Sequence, residues 1–205
     1  MRNTSLRGEL VARIESARLA MATGSKVGMD PELLQLGARL DAGNQRLADV
    51  TLFGTRDVSN QSTIRFFQPQ DAKDRGITNV ANAQLDKNSV LLLGSIILLS
   101  AVSTSAISNN RETLASLNYG GIKVAGLTSG ELTLRYHGKD VLDTLPLQRF
   151  VTSNDKRNQV GELVLDNPIL LRENDPFELT IETGEPLTDK TALRIILVGC
   201  GVVSN

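Results

Sequence analysis

Residues Asn88–Asn110, NSVLLLGSIILLSAVSTSAISNN, decide how the whole chain is read. The stretch carries no charge, and its centre from Val90 to Val102 is almost wholly aliphatic. Two structures accommodate such a run: a strand buried on both faces, or a membrane-spanning helix. A spanning helix needs about 20 predominantly apolar residues. The second half here, SAVSTSAISNN, would instead place many hydroxyls in lipid. Flanking Trp or Tyr and a one-sided Lys/Arg cluster, the usual interface and orientation signals, are missing as well. Val and Ile favour strands, and a continuous apolar run of this kind fits a strand covered on both sides. Gly94 marks a bend or bulge within it. The strand is the reading adopted; the membrane span stays open as the minor alternative.

Composition bounds the function. The 205 residues are 40% hydrophobic and 22% charged, enough for a sizeable core of ordinary globular kind. A net charge of −1 provides no field to draw the chain to nucleic acid or anionic lipid. Sequence-specific nucleic-acid binding is not expected. Five Phe, two Tyr and no Trp leave little aromatic surface for stacking on sugars or unpaired bases. The single cysteine, Cys200, rules out an internal disulfide framework and a multi-cysteine zinc site. It lies within LRIILVGCGVV, where a buried, inert thiol is expected. The N-terminal MRNTSLRGELVARIE has no apolar segment of the signal-peptide type, so synthesis in a reducing cytoplasm is the expectation.

Before the apolar run, the period is helical. Leu6, Leu10, Ile14, Ala17 and Met21 recur at spacings of three and four, which predicts a helix over 5–23. Asp30-Pro31-Glu32 then supplies an N-cap, the preferred N1 proline and a first-turn acid. Leu33, Leu36, Leu40 and Leu47 extend a second helix to about Asp49. These four leucines form a seam that needs an apolar partner. The partner is either the chain's own domain or a neighbouring subunit, and the four are the candidate interface residues. Basic and acidic residues balance over 1–50, seven against six, so this segment is not a nucleic-acid-binding arm. The domain organisation expected is a helical segment over 1–50, a linker over 51–61 and a β-domain over 62–205.

Beyond residue 61 the pattern is that of short strands. Ser62–Gln68 is β-rich and stopped by Pro69; a polar loop spans Asp71–Lys87. Ile122–Leu127 is a short candidate strand. Leu132, Leu134 and Tyr136 alternate with Thr133, Arg135 and His137, as on a strand with one wet face. Val141-Leu142 returns. Glu162–Leu165 and Ile169–Leu171 read as two strands split by Asp166-Asn167-Pro168. Residues 152–159 form a polar loop tip. Phe177, Leu179 and Ile181 alternate with Glu178, Thr180 and Glu182, and Leu193–Val203 is a second doubly buried strand, broken by Gly199 and Gly201. About eight strands without a crossover helix predict an antiparallel β-sandwich, a jelly roll or another Greek key, preceded by the helical segment.

No catalytic motif emerges. His137, the only histidine, lies on the polar face of its strand and is expected to be an ordinary surface group. Glu173, Asp175, Glu178 and Glu182 lack the spacing of a calcium loop. Gly120-Gly121 is followed by no Lys-Ser/Thr and is not a phosphate loop. The expectation is a non-enzyme with no cofactor and no metal.

Several segments together resemble the jelly-roll structural proteins of virus particles, bacteriophages above all. They are STIRFFQPQ with ITNVANAQL, VLLLGSIILLSAV, GELTLRYHGKDVLDTLPLQRF, and NPILLRENDPFELTIETG closing with LRIILVGCGVV. The resemblance covers about residues 60–205 and implies a capsid or capsid-associated subunit of the virion that works through subunit interfaces. Its partners would be copies of itself and other virion proteins. A ligand- or partner-binding sandwich module is the alternative, and a membrane-associated virion protein the third.

Overall fold

A computed structural model describes residues 2–107, 111–122, 124–151, 159–188 and 190–204. The end of the uncharged run (108–110) and most of the expected polar tip (152–158) lie outside these residues.

Two helices come first. Helix α1 (Arg2–Ala22) buries Leu10, Ile14 and Ala17, while Met21, expected on the same stripe, is exposed and Ala20 takes its place. Helix α2 (Pro31–Asp41) starts as the sequence predicts: the Asp30 carboxylate accepts from the backbone N–H groups of Glu32 and Leu33. Its end does not follow the prediction. The helix stops at Asp41, and Gln45–Asp57 is a long strand, β1. The expected helical stretch to Asp49 and most of the expected linker over 51–61 are therefore sheet. Gly43 turns the chain between them in the left-handed region.

Seven more strands follow: β2 (Thr63–Phe66), β3 (Val90–Val102), β4 (Glu131–Tyr136), β5 (Lys139–Pro146), β6 (Glu162–Arg172), β7 (Phe177–Glu182) and β8 (Thr191–Ser204). Short helices α3 (Arg111–Ser116) and α4 (Ala125–Thr128) sit between β3 and β4. The candidate strand Ile122–Leu127 thus gives way to a loop and α4. The two strands expected on either side of Asp166-Asn167-Pro168 are one, β6, whose pairing with β3 skips from Ile169 to Val164. Pro168 is tolerated there because β6 is an edge strand. Nor do Gly199 and Gly201 break β8: they lie where a side chain would strike the backbone of Leu92 and Val90.

The strands form two four-stranded sheets, in the orders β1-β8-β3-β6 and β2-β7-β4-β5, with every pairing antiparallel. Pairings β1:β8, β2:β7, β3:β6 and β4:β5 describe one long hairpin wound on itself. That is a jelly roll.

The central run owes its composition to this architecture. Leu91, Leu93, Ile96 and Leu98 of β3 face the core between the sheets. Leu92 faces the other way, under α1 and α2, beside Cys200 and Val202 of β8. The first sheet is thus covered on both sides, by the second sheet and by the helices, and only apolar side chains suit both. The inward spacing changes from two to three between Leu93 and Ile96 because Gly94 is a bulge. No helix among the described residues is long and apolar enough to cross a membrane; the run that raised that alternative is a strand.

Candidate functional site

The four leucines proposed as an interface come to rest within the chain itself. Leu33 and Leu36 are buried in a cluster with Leu10, Ile14, Ala17, Leu92, Cys200 and Val202, and Leu40 and Leu47 pack on its margin. Leu47 reaches the cluster from β1 rather than from α2. The seam has its apolar partner in cis: α1 and the outer face of the first sheet.

Arg172 is one of several cations that tie this helical layer to the sandwich, beside Arg13 on Pro168 and Arg39 on Asn88. Arg172, the last residue of β6, donates from Nη1 to Glu32 Oε2 at 3.0 Å and from Nη2 to the Asp30 carboxylate that also caps α2. Its backbone N–H donates to the Tyr136 hydroxyl at 3.2 Å, and that hydroxyl donates to Asp175 Oδ2 at 2.7 Å. Burial and the bond to Asp175 push the Tyr136 phenol up. The sequence hides this network, since Arg172 and its two acids are more than a hundred residues apart.

His137 begins the two-residue turn between β4 and β5. It and Gly138 both have positive φ, as a type I′ turn demands. Its Nδ1 lies 3.0 Å from Asp175 Oδ1, and the ring is largely in solvent. Cys200 is fully buried under the helices, and burial pushes its thiol up against the opposing pull of Arg7. Among the described residues neither is hydrogen-bonded in a nucleophile–base pair of the kind nucleophilic catalysis requires. Among the described residues no group of three or more His, Cys, Asp or Glu is placed to hold a metal ion.

Arg194 is the one charge within the apolar β8, and a lone arginine there signals a specific partner set. It has one. The guanidinium lies 5.7 Å from the Phe53 ring centroid and 4.8 Å from that of Tyr119, within cation–π range. Nε donates to Thr55 Oγ1 at 2.9 Å and Nη2 to the Gly76 carbonyl at 2.7 Å. The group pins the β2–β3 loop and the segment after α3 to the first sheet, a structural task.

The core between the sheets is apolar. Phe66, Phe67, Phe150 and Phe177 lie there among aliphatic side chains, with Phe67 and Phe177 ring centroids 5.3 Å apart. The outer face of the second sheet is polar, presenting Arg65, Arg135, Asp140, Glu178 and Glu182. Its ion pairs, Arg135–Asp140 at 2.9 Å and Arg65–Glu178 at 3.8 Å, are solvated contacts of small energetic consequence.

No family model matches the chain, and no curated protein matches it. Among solved structures it is similar to one described as the acidic stable capsid structure of Helicobacter pylori bacteriophage KHP30. Identity is 8%, with 78% of this chain and 99% of that chain covered, and the TM-score is 0.27. At that score the likeness carries no argument.

Proposed function

We propose that the chain is a non-catalytic, self-assembling structural subunit of a virus particle, a capsid or capsid-associated protein of bacteriophage type. The observation that carries this reading is an eight-stranded roll whose inter-sheet core is apolar. Jelly rolls serve as coat proteins, as lectin domains and as cupins. Small-ligand use requires a concave site with a few convergent polar groups. Here the corresponding space holds phenylalanine and aliphatic side chains, which favours work done at the outer surface. On this reading the chain is made in the host cytoplasm, resides in the virion, and has copies of itself and other virion proteins as partners.

Light scattering and negative-stain microscopy of the full chain test the reading. Discrete oligomers or shells at micromolar concentration are the expected result. A folded monomer at every accessible concentration would overturn self-assembly and favour a partner-binding module on the same fold.

A further inference from the structure

Two features at opposite ends of α1 have no counterpart among the described residues. The first is the turn into α2. Between Leu19 and Met29, four large apolar side chains stand in solvent: Leu19 is 66% exposed, Met21 62%, Val27 86% and Met29 45%. The turn is a shaped one. Thr23 Oγ1 donates to the Leu19 carbonyl at 2.9 Å, the Val27 N–H donates to Ser25 Oγ at 3.2 Å, and Gly24 and Gly28 take positive φ. Lys26 is the only charge between Leu19 and Met29, and no bond or ion pair engages it among the described residues.

The second feature is a groove of about 550 Å³ beside the N-terminal half of α1, over the outer face of the first sheet. Leu6, Gly94, Val164, Leu165 and Val198 give it an apolar floor, and its rim carries carboxylates. Glu9 is answered by Arg13 at 2.7 Å and Glu162 has an interaction of its own. Asp166 is exposed and has no partner among the described residues.

We propose that copies of this chain associate head to tail, with the Leu19–Met29 turn of one copy seated in the Leu6/Val164 groove of the next and Lys26 facing Asp166. Apolar surface meets apolar surface, and Lys26 of the turn meets Asp166 of the groove, each without a partner among the described residues. Leu6 and Leu19 are about 20 Å apart along a helix that rises 1.5 Å per residue, so one copy's turn does not fill its own groove. A contact between two different surfaces is heterologous and repeats into a ring or an open array, which is what a shell subunit needs. The inference rests on the self-assembling reading above and names the surfaces that reading leaves open.

Charge reversal tests it on the full chain, read by sedimentation velocity across a concentration series. Lys26→Asp and Asp166→Lys are each expected to weaken association at least about tenfold, because like charges brought face to face are strongly disfavoured. The double variant, and an equimolar mixture of the two singles, should recover it, since each restores opposite charges across every contact. Val27→Asp, in the exposed turn, should also weaken association without altering the melting temperature. If the wild type assembles and these variants assemble equally well, the head-to-tail contact is wrong and the self-assembling reading stands. An effect at Lys26 with none at Asp166 overturns the groove as the receptor. A wild type that stays monomeric overturns both.

Discussion

Leu6 of α1 occupies the space in which a side chain on Gly94 of β3 would begin. The bulge in the central strand and the seating of the first helix are therefore one feature. Gly94 re-phases β3 so that Leu93 and Ile96 both face the inner core, and its missing side chain lets α1 lie directly on the sheet.

Gly94→Val should push α1 outward. Overpacking of this sort costs about 1–3 kcal/mol, read as a lower midpoint in urea with an unchanged slope. Leu6→Ala in the same background should recover part of the loss, because it vacates the contested space. A Gly94→Val variant that unfolds at the wild-type midpoint would show that the helix does not rest there.

Arg172 yields a second prediction. Its guanidinium holds two carboxylates, and one of them also caps α2. Arg172→Ala should destabilise by roughly 1.5–3 kcal/mol, the range for hydrogen bonds to charged groups. Arg172→Lys should keep the charge, lose the fork and fall between the two. A double-mutant cycle with Asp30→Asn isolates the pair. A coupling energy near zero would reduce Arg172 to an ordinary surface residue.

What the sequence made legible, and what it hid, follows from the distance over which each signal acts. The alternation in Phe177–Glu182 and the Asp30-Pro31 cap are local, and both stand in the structure where they were expected. The apolar run was legible as a doubly covered strand because most positions from Leu91 to Ala101 are apolar whichever face they take. Gln45–Asp57 was not. Leu47 continues the leucine spacing of α2, and nothing within the segment announces its thirteen paired partners in β8. The interface reading of Leu33, Leu36, Leu40 and Leu47 rested on a single leucine spacing, yet the first three lie on α2 and Leu47 on β1. The sequence alone could not say that the seam's partner is the sheet that β1 and β8 complete.

Alkaline titration gives a third prediction. Burial raises the Tyr119 phenol to about 12 against the partial opposition of Arg194. Tyr136 is raised too, by burial first and then by its bond to Asp175. A folded pKa above the unfolded value of about 10 means that the folded state holds the proton more tightly. The stabilising contribution is complete below pH 10 and is lost as pH rises through the folded pKa. Tyrosinate absorbance of the native protein should therefore lag behind that of the urea-unfolded chain, with stability falling over the same interval. If either phenol ionises near pH 10 with the fold intact, the burial described for it is wrong.

The helical layer supplies the last prediction. Leu92, Cys200 and Val202 are fully buried beneath α1 and α2, so the outer face of the first sheet is a core surface rather than a wet one. Removing residues 1–43 should uncover it; the cut must precede Gln45, because β1 belongs to the sheet. A contiguous apolar face of that kind promotes non-specific association, and the truncated chain should aggregate where the full chain does not. Cys200 reports the same event with less disruption. In the native chain its thiol, raised by burial, should resist labelling. Ile14→Asp places an unpaired charge in the seam, which costs several kcal/mol, and should make labelling rapid while the β-sheet circular dichroism persists. If Cys200 labels at the same slow rate in both chains, the helices are not what shields it. A truncated chain that stays soluble and monomeric would show further that the layer is an appendage to the sandwich rather than part of its core.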